Sequence, residues 1–243
     1  MYPKEFFKLQ LDFAQKASEI TREDITQAIL KYTNIYLTFG LDFNFSIEAK
    51  VWQNYIRDFK SDLEYTYQFY KQTQKDGKQK RAIDKYKEVE FGCFSYSIEP
   101  KKKRAWIHIS NNEKSNFGPF SSERLDARRR EMTEMLKYIK LHKKNVEFIK
   151  ETSWFFAHEN HNKVYPPEFI GQAAIVAGGE LQFLSSWGQF IDSKGRLRND
   201  LADKFRKCLS KKNTISDMIK CFPYPVKESE MPIEEFYGFY EVV

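Results

Sequence analysis

The sequence predicts an α+β fold: a mainly antiparallel sheet flanked by helices and preceded by an N-terminal helical segment. Three observations carry this expectation. Apolar residues recur at helical spacing through the first seventy positions. From Val89 the period shifts to two. A long helical stripe then separates two groups of strand-like runs.

Phe6, Phe7, Gln10, Phe13 and Ala17 line one face of a first helix. Thr21 reads as the N-cap of a second, with Glu23 and Asp24 in the first turn, where the helix dipole favours anions. Its stripe is Ile25, Ala28, Ile29, Tyr32 and Tyr36, and Gly40 is the expected stop. A third helix starts near Ser46, carries Trp52, Tyr55, Ile56, Phe59 and Leu63, and runs out near Tyr70. The stretch Gln72–Lys87 is polar and basic, with an Asp76-Gly77 turn signal, and marks a linker or an exposed excursion. Residues 1–88 are therefore set apart as a helical segment, either a subdomain or a layer of one domain, and 89–243 as an α+β domain.

Within the second part, FGCFSYSI and AWIHIS read as an antiparallel hairpin joined by Glu99-Pro100 and the basic run Lys101-Lys102-Lys103-Arg104. After the polar loop 111–118, the longest helix runs from Ser121 to about Lys144, with Leu125, Met132, Met135, Leu136 and Ile139 on its apolar side. A strand begins at Val146 and ends near Trp154. AAIVA and LQFLSSWGQFI are two strand-like runs divided by Gly178-Gly179, which predicts a second hairpin, with Trp187-Gly188 marking a bulge or a close approach to the backbone. Asn199 or Asp200 caps a helix bearing Leu201, Phe205, Cys208 and Leu209. Thr214 and Asp217 are spaced as a cap, and Phe236–Tyr240 closes the pattern.

Composition narrows the class. Of 243 residues, 41% are hydrophobic, enough for a core and against disorder. No apolar run approaches the ~18 residues of a membrane span, and the charged N-terminus lacks a signal peptide's apolar centre, so the expected location is cytoplasmic with no membrane partner. Cys93, Cys208 and Cys221 are far apart among apolar residues and read as reduced, buried thiols. A formal charge of +6 permits contact with phosphates without requiring it.

The most informative candidate site is the start of the long helix. Free N–H groups and the positive dipole end suit phosphate or carboxylate there. Ser121, Ser122, Arg124 and Arg128 are the candidate cofactor-binding residues, followed by Arg129 and Arg130. Arg128 lies near the apolar stripe, where it pairs with a buried carboxylate or reaches a ligand. His108 shares one side of its strand with Trp106 and is the candidate catalytic base. His158 and His161 are three apart, but the third ligand and the helical spacing of a metal site are missing, so no metal is expected. Phosphate-loop, nucleophile-elbow and dinucleotide-binding signatures are absent.

The landmarks GCFSYSIEP, the arginine-rich helix, SWFF…YPPEFI, LSSWGQF and CFPYPV…FYGFYEV resemble, over residues ~90–243, a family of uncharacterised bacterial proteins, with no activity to carry over. At the level of element order the chain also resembles the GNAT acyltransferases: hairpin, long helix, strand, helix, then strands. That resemblance implies coenzyme A with its pyrophosphate at the start of the long helix. The GNAT loop Arg/Gln-x-x-Gly-x-Gly/Ala has no counterpart here, where Asn116-Phe-Gly118-Pro-Phe-Ser121 precedes the helix. The first reading is thus an acyl-coenzyme A-dependent transferase, or another enzyme binding a phosphorylated small molecule. The alternatives are a non-catalytic protein-interaction module, including a homo-oligomer, and a nucleic-acid-binding protein, for which +6 over 243 residues is modest.

Overall fold

The computed structural model describes residues 1–60, 62–75, 89–110 and 117–243. From the N-terminus come helices α1 (Lys4–Thr21), α2 (Ile25–Tyr32), α3 (Ile35–Thr38), α4 (Lys50–Asp58) and α5 (Leu63–Lys75). Strands β1 (Glu90–Phe91), β2 (Phe94–Glu99) and β3 (Arg104–Ile109) follow, then helix α6 (Leu125–His142) and β4 (Phe148–Ser153). Next are α7 (Glu159–Asn162), α8 (Pro167–Gly171), β5 (Ala174–Ile175), α9 (Leu184–Trp187), α10 (Asn199–Leu209) and α11 (Ile215–Ile219). Strand β6 (Lys227–Pro232) and helix α12 (Ile233–Phe239) end the order. The α+β class is as the sequence predicts. The Asp76-Gly77 turn, the basic run up to Lys87 and most of the 111–118 loop lie outside the described residues.

The chain divides into two compact units, but not at residue 88. One unit joins 1–85 to 177–225; the other joins 86–176 to 226–243. The sequence reading assigned 177–225 to the α+β part, whereas these residues cluster with the N-terminal helices. Burial explains why: Phe13 of α1 packs its ring 5.7, 6.2 and 6.0 Å from Trp187, Phe205 and Phe222. The predicted face of α1 is buried as expected, including the amide of Gln10, whose Oε1 accepts the Asn34 N–H at 2.7 Å.

Several local expectations are corrected in this helical unit. The N-cap of α2 is Asp24 and not Thr21, because α1 runs through Thr21 and the Asp24 carboxylate accepts the Thr26 N–H at 2.8 Å. The third predicted helix is two, since the chain leaves helical geometry at Phe59 (φ −72°, ψ 124°) before α5 starts. The hairpin expected at Gly178-Gly179 does not form. LSSW is helix α9, Trp187 is core with its indole N–H donating to Leu181 O at 2.7 Å, and the Gln189 amide is buried against the Tyr224 backbone. A short apolar run fits a buried helix as well as a strand. Cys208 and Cys221, read as reduced, form a disulfide between α10 and the end of α11, while Cys93 is a buried thiol outside it. The Thr214 cap is as expected, accepting the Asp217 N–H at 3.1 Å.

The other unit holds a six-stranded sheet in the order β1-β2-β3-β4-β6-β5. Neighbours are antiparallel except β3 and β4, which run parallel because α6 crosses between them. Phe94, Tyr96, Ala105, Ile107, Ile149 and Met231 form the core face, covered by Met132, Met135, Leu136 and Ile139 of α6. The unpredicted strand is β6, KESEMP, which buries only Ser229 and Met231 and so shows almost no hydrophobic period. Among the described residues, no helix is long and apolar enough to cross a membrane.

Candidate functional site

The parallel pair is where the sheet opens. Its ladder spans Arg104–Phe148, Ala105–Ile149 and Trp106–Lys150, and then stops. Both strands continue beyond it: β3 stays paired with β2 to Ile109, and β4 stays paired with β6 to Ser153. Among the described residues, Ile107–Ile109 and Glu151–Ser153 therefore have no ladder partner across the gap. Two strand edges part at their C-terminal ends, the end of a parallel pair at which ligands bind in open α/β sheets.

One side of this parting is the polar face of the sheet, and it carries His108. Strand alternation places Ser95, Ser97, Glu99, Arg104, Trp106, His108, Lys150 and Thr152 together there. Ser97 Oγ and His108 Nε2 are 2.8 Å apart, diagonally across the hairpin. Trp106 is fixed between the Lys150 ammonium, 4.9 Å from its ring centre, and the Arg104 guanidinium at 5.6 Å. Its indole N–H donates to Glu99 Oε2 at 3.1 Å. That hydrogen bond, with Lys102 and Arg104 beside it, holds the Glu99 carboxyl below the ordinary range.

The other side is the core face, where Glu151 points inward. Its Oε1 lies 3.0 Å from His161 Nε2, and both side chains are fully buried. His161 Nδ1 faces Asn162 Oδ1 at 3.0 Å, with the Asn162 amide oriented by donation to Phe156 O. Both ring nitrogens of His161 therefore face an oxygen atom, which fixes the plane of the ring. Phe120, Phe155 and Tyr165 enclose this pair, their ring centres 4.9, 5.9 and 4.6 Å from His161. Burial, and Glu151 beside it, push the Tyr165 phenol well above its ordinary value.

The helix start looks different from its sequence. Ser121 and Ser122 precede α6 in a single 3-10 turn, Ser122–Arg124. The Glu123 carboxylate already accepts the Ser122 hydroxyl at 3.2 Å, and its own backbone N–H, with the two serines beside it, holds its pKa down. Arg124 is half-buried at the N-cap of α6. Arg128 is fully buried, its Nη1 3.0 Å from Glu131 Oε2. The same oxygen accepts the Cys93 N–H at 3.1 Å and sits where Gly92 leaves room for it. Glu131 thus ties α6 to the β1–β2 turn, and Arg128 pairs with this half-buried carboxylate from within the same helix. The structure places Ser121, Ser122 and Arg124 in one turn, Arg128 a helical turn further on in α6, and His108 on β3.

Ser97, Lys150, Glu151 and Tyr165 were not singled out by sequence reasoning. Ser97 was accessible to it, since FSYSIE alternates and puts Ser95, Ser97 and Glu99 on the side of Trp106 and His108. Glu151 was not, because no local pattern separates a buried strand glutamate from a solvated one. The surface depressions of about 520 and 410 Å³, around Tyr67 and Arg196 and around Tyr36 and Asp42, belong to the helical unit. No protein-family model, no curated protein and no solved structure matches this chain.

Proposed function

We propose that the α+β unit is an acyltransferase of the GNAT kind, taking an acyl-coenzyme A donor where β3 and β4 part. The observation that carries it is the parallel ladder that ends after three residue pairs while both strands run on. An acyl-pantetheine arm is an extended chain of amides, and open strand edges recognise such chains through main-chain hydrogen bonds. The sheet order, one parallel pair bracketed by antiparallel strands with the long helix crossing it, supports the same reading. At the far end of the donor, a diphosphate suits the turn Ser121–Arg124, with Arg124 and the exposed Arg130 adding charge. With no glycine-rich loop there, the phosphates have to displace the Glu123 carboxylate. His108, on the parted half of β3, is placed to take the proton of the reacting nucleophile.

Thermal unfolding of the full chain with acetyl-coenzyme A, free coenzyme A, acetyl-pantetheine and ADP tests this. A donor at ~100 times its Kd adds about 2.7 kcal/mol of stability. Arg124→Ala is expected to weaken the coenzyme A compounds and ADP while leaving acetyl-pantetheine unchanged. No stabilisation by any of the four, at concentrations that saturate a control acyltransferase, retires the reading.

A further inference from the structure

We infer that Ser97 is a nucleophile that carries the acyl group between donor and acceptor, so that transfer proceeds through a serine ester. The inference rests on the acyltransferase reading above and adds a residue and an intermediate to it. An alcohol within hydrogen-bond reach of an imidazole is the smallest activated nucleophile, and Ser97 Oγ sits 2.8 Å from His108 Nε2. The two side chains come from different strands. Ser97 stands opposite Trp106 and His108 opposite Ser95, so the bond crosses the hairpin diagonally on a regular ladder.

Position supports the same role. Both residues are half-buried, reachable by substrate while backed by the sheet. Residues 107–109 are the part of β3 that β4 has left, so the base borders the parting and Ser97 lies one strand away. The neighbouring Trp106 is pinned by Glu99, Arg104 and Lys150, and it presents a fixed wall beside the dyad. The Lys150 ammonium above that wall, held by Glu228 at 2.8 Å, is the cation nearest the face where a thioester oxygen turns into an oxyanion.

The chemistry balances without further reagents. Ser97 Oγ attacks the thioester carbonyl carbon as its proton passes to His108 Nε2. The C–O bond forms, the C–S bond breaks, and coenzyme A leaves as the thiol, taking that proton from the imidazolium. An amine, an alcohol or water then attacks the ester carbonyl and gives its proton to His108. The imidazolium returns it to Ser97 Oγ as the serine is released.

The test uses the full chain with two probes: acetyl-coenzyme A carrying a labelled acetyl group, and p-nitrophenyl acetate, which needs no coenzyme A site. After acid quench, peptides are sequenced by mass spectrometry. Acetyl label on Ser97, absent from Ser97→Ala and at least tenfold slower to form in His108→Gln, is the expected result. Both variants are checked for wild-type melting, and the wild-type label is itself decisive if a variant fails to fold. Stabilisation by acetyl-coenzyme A with no label on Ser97 from either probe overturns the nucleophile and leaves the acyltransferase reading standing. Label from the ester alone, with no response to coenzyme A compounds, keeps the nucleophile and removes the coenzyme A donor. Neither binding nor label removes both.

Discussion

Glu151 and His161 face one another at 3.0 Å in the α+β core, with almost no exposure of either side chain. The pair joins β4 to α7 and sits directly behind the edge that β4 presents at the parting. Removing the imidazole leaves the Glu151 carboxyl without its buried hydrogen-bond partner, which typically costs about 1–3 kcal/mol. His161→Ala is therefore expected to lose that much in urea denaturation. The double variant Glu151→Gln with His161→Ala should lose less than the sum of the two single changes. Additive losses would show that the two groups are not coupled.

Arg128 is predicted to act on stability and not on ligand affinity. Arg128→Met should destabilise by about 3–5 kcal/mol, because Glu131 stays fixed against Cys93 N–H. At temperatures where the variant is still folded, its affinity for coenzyme A compounds should equal that of wild type. A selective loss of affinity with unchanged melting would return Arg128 to the binding site.

Gly92 is the second test of the same anchor. Its φ is +60°, and a Cβ built there would lie 2.0 Å from the Glu131 carboxyl carbon. The left-handed backbone alone costs an L-residue about 1–2 kcal/mol, and the displaced carboxylate adds to it. Gly92→Ala should lower the melting temperature markedly. Gly92→Ala combined with Glu131→Gly should relieve the clash but not the backbone term.

The Cys208–Cys221 bond closes a loop with a sequence separation of 13. Cross-links of that length are worth about 3 kcal/mol, and they persist mainly in oxidising compartments. Denaturation with and without dithiothreitol should differ by about that amount. Cys208→Ser should show no effect of reductant, whereas an identical wild-type curve under both conditions would mean that the bond does not stabilise the fold.

Alkali is expected to unfold the protein through its tyrosines. Burial raises the pKa of Tyr55, Tyr165 and Tyr240, and pushes Tyr237 up to about 12. A folded-state pKa above the unfolded one means that stability is fully present below pH ~10 and falls as the unfolded chain releases its protons. Tyrosinate absorbance for these residues should rise together with loss of far-ultraviolet dichroism. Complete ionisation near pH ~10 with the fold intact would contradict the burial argument.

Glu123 is expected to compete with a bound diphosphate for the helix start. Glu123→Gln should tighten coenzyme A binding about two- to fivefold, with ADP following and acetyl-pantetheine unaffected. Weaker binding of all three would mean that the carboxylate supports the site.

Patterned elements were legible and paired ones were not. The stripe of α1, the β2–β3 hairpin and the core side of α6 follow from periodicity, and each is where the sequence puts it. The oddity of Arg128 was also visible, since charge inside an apolar stripe demands a partner, although the identity of Glu131 was not. What stayed hidden depends on residues far apart in the chain. Phe13 meets Trp187, Cys208 meets Cys221, and polar KESEMP becomes a strand only because β4 and β5 pair on either side of it. His108 was accessible as a candidate from alternation alone. Ser97 shares that polar side by the same alternation, while its contact with His108 required the hairpin register and the parting of β3 from β4 the whole sheet.

The helical unit is built from two stretches separated by the other unit's residues, and this matters during synthesis. Phe13 leaves the ribosome early, yet Phe205 and Phe222, against which it packs, emerge about two hundred residues later. At 5–20 residues per second that gap is roughly 10–40 s. For that interval Phe13 has Tyr32 of α2 beside it but not Trp187, Phe205 or Phe222 to close over it. Slow codons or heat in that window should drive aggregation through α1, and a chaperone that recognises exposed aromatics has its natural client in the unfinished chain.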